Sequence, residues 1–172
     1  MKRYILIAAA AILTLGSCSP YMVKSDYEQS VNFLRYRTYS LRDSDLKIND
    51  IDRGRVLTEI RRQLQMKGLS EAANADLLVH VKASHKKVND YYSTPMRVGY
   101  GWGGFGWGFG VNRVFSDSYN RGTLEIDLVD ARSNRLVWQG IGSGINVDNP
   151  RSKQKQIPEV VAEILKQYPP QK

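Results

Sequence analysis

The chain has 172 residues, 24% of them charged, with a formal net charge of +8, a mean hydropathy of −0.42 and a single cysteine. This composition excludes a bundle of membrane-spanning helices, and one thiol cannot staple a fold through an internal disulfide. The basic balance alone suits nucleic acid, anionic lipid, lipopolysaccharide or peptidoglycan.

The first eighteen residues, "MKRYILIAAAAILTLGSC", decide among these. A basic pair (Lys2, Arg3) precedes an apolar run over 4–15 and then small residues, the pattern of a secretory signal peptide. At about 1.5 Å rise per residue such a run covers roughly 18 Å, well short of the ~30 Å bilayer core, so cleavage is expected. Leu15, Gly16, Ser17 and Cys18 resemble the bacterial lipobox, in which the cysteine is diacylated and becomes the new N-terminus. Cys18 is the only cysteine, and a lone thiol in an exported protein otherwise lacks an explanation. Two or three acyl chains hold stably where one does not, so the expectation is a protein anchored to a membrane by Cys18. Ser19, where an aspartate would favour the inner membrane, directs it to the outer membrane, facing the periplasm. A protein so placed meets little nucleic acid, which leaves envelope components as partners.

Cleavage removes 17 of the 172 residues and leaves 155, with the charge falling from +8 to +6 as Lys2 and Arg3 depart. That is the size of one domain. The expected division is signal peptide over 1–17, lipidated tether over 18–23 and a single domain over 24–172.

A short strand is expected over 22–27 and a second over 35–41, where Tyr36, Thr38 and Ser40 alternate with Arg37, Tyr39 and Leu41. Asn49 or Asp50 caps a helix over 51–67 with Val56, Leu57, Ile60 and Leu64 on one face, ended by Gly68 with Leu69 as its apolar partner. "ADLLVHVKASHKKV" alternates as a strand, with Leu77, Val79, Val81 and Ala83 on one face and His80 and Lys82 on the other. "GTLEIDLVD" turns Leu124, Ile126 and Leu128 inward, and "LVWQGIGSGI" puts Leu136 and Trp138 on the face of Gly140, Gly142 and Gly144. Those glycines leave room for a helix or a ring to come close. A helix over 154–167 carries Ile157, Val160, Val161, Ile164, Leu165 and Tyr168 along one stripe. Pro158 suits its first turn, whereas a start well before Lys155 would set the proline inside the helix.

These elements predict an α+β domain: a mostly antiparallel sheet of about five strands, two helices packed on one face, and a long Gly/aromatic-rich loop. The loop, "GYGWGGFGWGFG" over 99–110, holds seven of the fourteen glycines together with Tyr100, Trp102, Phe105, Trp107 and Phe109.

The stretches "SDYEQSVNFLRYRTYSL", "IRRQLQMKGL" before "ADLLVHV", "YNRGTLEIDLVDARSNRLVWQGIGSG" and the closing helix ending in "QYPP" resemble the bacterial envelope lipoproteins of domain-of-unknown-function family 4136. The resemblance covers essentially the whole mature chain, and "GTLEIDLVDARSNRLVWQG" is its most specific part. It implies a small α+β lipoprotein domain and brings no activity, ligand or catalytic residue with it.

The residues themselves offer little chemistry. Glu125 and Asp127 share one strand face, as a general acid and base of a glycan or lipid hydrolase would require. Equally, acids on an outer strand face are solvated or meet Lys82 and His80 across the sheet. His80 and His85 are five apart and point to opposite faces, so they cannot share a metal, and no cluster has ligand spacing. Gly101, Gly103 and Gly106 spell G-x-G-x-x-G, yet no helix follows and no acidic residue stands where a ribose would need it. No metal or cofactor is therefore expected. The aromatic loop is the candidate contact surface: its five rings can stack on sugar, bury in a partner protein or sit at a membrane interface, the alternative being a loop whose rings pack on its own domain. The expected role is non-enzymatic binding or assembly in the envelope.

Overall fold

The structure, a computed structural model, describes residues 19–94 and 113–170, with side chains described for 19–87 and 120–170. In chain order it runs through β1 (Met22–Tyr27), a 3-10 turn (Phe33–Arg35), β2 (Thr38–Arg42), α1 (Asp50–Met66), β3 (Ser70–Glu71), β4 (Leu77–Thr94), β5 (Arg113–Asp130), β6 (Arg135–Asn146) and α2 (Pro150–Lys166). Among the described residues the strands form one six-stranded sheet in the order β1-β6-β5-β4-β2-β3.

The fold is α+β as expected, with a sheet that differs in detail. β1, β6, β5 and β4 are antiparallel neighbours, whereas β2 pairs in parallel with both β4 and β3. The mixed character arises because β2, α1 and β3 form a crossover unit, whose returning strand must run parallel to the first. β3 makes the sixth strand. It has only two residues, both exposed, so no alternation marks it in the sequence.

Local chemistry explains where the helices begin and end. Asn49 accepts from the Asp52 backbone N–H at 2.9 Å, capping α1. At the other end Gly68 adopts φ +81°, its N–H reaches the Gln65 carbonyl at 2.9 Å, and the Leu69 N–H reaches that of Leu64 at 3.0 Å. That pair of bonds satisfies carbonyls the helix end would otherwise orphan, and only glycine takes the required φ without strain. Asn149 caps α2 with Pro150 at its first position. The helix thus begins at 150, and Pro158 lies inside it rather than in its first turn.

Both helices cover the same face of the sheet. Leu77, Val79, Val81, Leu124, Ile126 and Leu128 face Val56, Ile60 and Leu64 of α1 and Val160, Val161, Ile164 and Leu165 of α2, all essentially inaccessible to solvent. The glycines of β6 allow α2 its close seat. A Cβ on Gly142 would come within 2.7 Å of Val160 Cγ2, and one on Gly140 within 2.4 Å of the Trp138 ring and 2.5 Å of Ile164 Cγ2. Both a helix and a ring occupy the space. Leu136 departs from expectation: it is half exposed, because a register shift between Leu128 and Val129 turns it out and puts Val137 and Trp138 in the core. Nor is there a strand at Arg35. The chain makes a 3-10 turn there, with Asn32 accepting from the Leu34 N–H, and β2 starts at Thr38.

Candidate functional site

β4 and β5 continue well past their neighbours. β5 loses β6 after the Arg121↔Asn146 pair, β4 loses β2 after His80, and the Asn120 carbonyl still accepts from the Val147 N–H. From Val88↔Tyr119 to Thr94↔Arg113, seven further pairs join β4 and β5, with no third strand among the described residues. This two-stranded arm extends about 23 Å beyond the sheet at the usual strand rise. Residues 95–112 connect its two strands. Tyr100, Trp102, Phe105, Trp107 and Phe109 fall within that connection and lie outside the described residues, as does Cys18.

The described chain starts at the same end of the sheet. Met22 pairs with Ser143, and Ser143 with Thr123, three residues from the base of the arm. The Pro20 carbonyl passes 3.4 Å from the position of a Cβ on Gly144. Tyr21 is buried and donates its hydroxyl to Glu159 at 2.7 Å; burial and that carboxylate raise its pKa. The fold therefore grips the chain at Tyr21, inside the segment 18–23 read as a tether. Three Cα steps separate Tyr21 from Cys18, a reach of about 11 Å at most.

The charged residues singled out in the sequence lie elsewhere, on the sheet face away from the helices. Lys82 Nζ donates to Glu125 at 2.9 Å and to Asp127 at 3.0 Å, and Gln139 Nε2 donates to Asp127 at 2.8 Å. The bonds to Glu125 and Asp127 raise the Lys82 pKa, so the ammonium persists and both acids face a fixed cation. The structure thus brings Glu125 and Asp127 together on the lysine expected opposite them. His80 sits across from Asp127 in register, while His85 lies on the helix side, so the two histidines are apart. Among the described residues no three His, Cys, Asp or Glu side chains come together as a metal site.

Two buried acids that the sequence did not single out act structurally. Asp130 accepts from the backbone and hydroxyl of Ser133, from the Tyr36 hydroxyl at 2.9 Å and from Arg35. The Ser133 backbone bond leads the interactions that hold its carboxyl far below the usual range against the opposing effect of burial. Asp52, at the start of α1, accepts from Lys153 at 2.6 Å, Arg55 at 2.6 Å and Asn49 at 2.7 Å. Burial pushes its pKa up and those donors outweigh it, leaving the carboxyl below its ordinary value. The bond to Lys153 joins the first turns of the two helices. The signal missed in the sequence was the spacing Asn49-x-x-Asp52, a cap reaching its own third residue.

Next to that joint, a half-open cavity of about 200 Å³ lies between the first turns of α1 and α2 and the sheet at the base of the arm. Its residues come from five separate segments, which is why no motif announced it.

Solved structures share this fold. A PDZ domain protein from Parabacteroides distasonis aligns with a TM-score of 0.58 at 18% identity; the alignment covers 97% of this chain and 40% of that one, so this chain spans less than half of that protein's length. A DUF4136 family protein from Bacteroides thetaiotaomicron aligns at 0.55 and 20% identity, over 88% of this chain and 97% of that one. A PelC dodecamer from Paraburkholderia phytofirmans aligns at 0.51 and 11% identity, over 84% and 94%. At such identities the likeness is one of fold. No curated protein matches the chain. A family match over residues 23–170 agrees with the fold and with the stretches that suggested it, and the chain belongs to the family described as Domain of unknown function (DUF4136).

Proposed function

We propose that this chain is an envelope protein anchored to the outer membrane by acylated Cys18, with a non-enzymatic binding role. Its β4–β5 arm carries Tyr100, Trp102, Phe105, Trp107 and Phe109 to the bilayer interface and to an envelope protein or glycan met there. One observation carries this reading: the arm and the start of the chain leave the sheet at the same end. With Cys18 in the membrane, Tyr21 lies within about 11 Å of the surface, and the base of the arm stands two strands across from it, through β6 to β5. An arm of about 23 Å at that end is long enough to lie along the interface or enter it when the end faces the bilayer. Tryptophan and tyrosine favour that level, where an apolar ring body and a polar tip are both accommodated. The ion pairing of Glu125 and Asp127 with Lys82 supports a role other than acid–base catalysis.

The test places a photocrosslinking amino acid at position 102 or 107 of the full chain in cells. The expected adducts are lipid or outer-membrane components, and they disappear with Cys18→Ala. Adducts that persist unchanged in Cys18→Ala, or a wild-type probe that captures neither, overturn the proposal.

A further inference from the structure

We infer that the cavity at the base of the arm binds the tail of an anionic amphiphile, an acyl chain carrying a carboxylate or phosphate head. Four aliphatic side chains, Val56, Leu124, Ile145 and Ile157, form its inner walls, and all are buried. Lys47, His85 and Lys153 also line it, and Asp52 is the only acid among the described residues that does. Asp52 is already neutralised, since Lys153 and Arg55 both donate to it. The net field that the lining presents is positive, with Lys47 and His85 exposed to solvent.

The shape and chemistry of the lining select the ligand class. A cavity of about 200 Å³ is comparable to the ~150 Å³ apolar hole that stays dry and takes benzene, so it admits a short length of hydrocarbon and leaves the remainder outside. Among the described residues no phenyl, phenol or indole ring lines the cavity, so they offer a sugar no stacking platform. Most ligand sites pair an apolar body with a few placed polar groups, and here Asn49, Ser84 and Thr123 stand beside the cations Lys47 and Lys153. Together these features fit an aliphatic tail with an anionic head. The inference stands on the cavity alone and holds whether or not Cys18 is acylated.

The test uses membranes containing the full chain and a diazirine-bearing dodecanoic acid, with the matching dodecylamine as control. A second arm supplies a diazirine-bearing phosphatidylglycerol in vesicles, which separates a membrane phospholipid from a free fatty acid as the source. Labelling by either acid within peptides spanning 47–56 or 145–157, and none by the amine, is the expected result. Ala83→Phe, which adds a ring to the cavity floor, lowers that labelling at least tenfold. Lys47→Glu, at an exposed position, lowers it several-fold, and unlabelled dodecanoate competes in the wild type. If Ala83→Phe loses protease resistance, Lys47→Glu and the competition decide. Equal labelling by acid and amine, labelling unaffected by Lys47→Glu and by competitor, or no labelling of these peptides from either source overturns the inference.

Discussion

Replacing Gly142 with alanine tests whether the close seat of α2 on β6 holds the domain together. The added Cβ would stand 2.7 Å from Val160 Cγ2 and 2.8 Å from Cγ1 and Cδ1 of Ile164. Carbon atoms pack comfortably at about 3.5–4.0 Å, so α2 must move by most of an ångström or its side chains must leave their rotamers. Val160 and Ile164 are both fully buried, in an interior that packs densely and yields little. Overpacking of this kind costs about 1–3 kcal/mol, which lowers Tm by roughly 2–4 °C per kcal/mol in a domain of this size. Ile164→Ala alone should cost about 2–5 kcal/mol through the cavity it opens. In the double variant the new methyl enters that cavity, so the two losses fail to add by about 0.5–3 kcal/mol. Gly54 supplies the control: nothing lies within 4 Å of its would-be Cβ in α1, and Gly54→Ala should stabilise by about 0.5–1 kcal/mol. Urea denaturation followed by far-UV circular dichroism measures all four variants. Strict additivity in the cycle, or a Gly142→Ala stability equal to wild type, would refute the packing argument.

Two further outcomes follow from the charged clusters. Asp52 and Asp130 both have depressed folded-state pKa values, so the stability they contribute is complete above the ordinary carboxylate pKa near ~4 and is lost as pH falls toward their folded values. Stability measured from pH 6 down to 2 should therefore decline steeply below about 4, and Asp52→Asn should flatten the decline while lowering stability at pH 7. Lys82→Met leaves Glu125 and Asp127 facing each other without their cation. Because the lysine is half exposed, the loss should be about 1 kcal/mol and should shrink in high salt, as urea titrations at two ionic strengths would reveal.

The parts of the fold legible in the sequence are those in which one residue's role is fixed by its immediate neighbours or by a repeat against the core. Asn49 and Gly68 bracket α1 because capping chemistry is local. Leu77, Val79 and Val81, and the stripe from Ile157 to Leu165, alternate or recur because one side of each element is buried. Where no core lies opposite, periodicity carries no information: the arm pairs 88–94 with 113–119 beyond the other described strands, and the strand appeared to end near Val88. The parallel pairing of β2 with β4 depends on partners 38 residues away, which local patterns do not encode. Leu136 misled because a bulge shifts strand parity by one residue and leaves composition unchanged. The cavity and the Asp52–Lys153 pair escaped for a related reason, since their members are distant in the chain and meet only once the helices pack.

The construction of the arm also makes its length adjustable. Inserting two residues into each of its strands keeps every side chain on its original face and adds about 7 Å of reach. Among the described residues the seven outer pairs of β4 and β5 engage no other strand, so such a change leaves the ladders of the sheet body as they are. The distance from the domain to whatever residues 95–112 contact is thus set in discrete steps, separately from the stability of the body. A longer or shorter hairpin would leave the core as it is while changing how far residues 95–112 are carried from it.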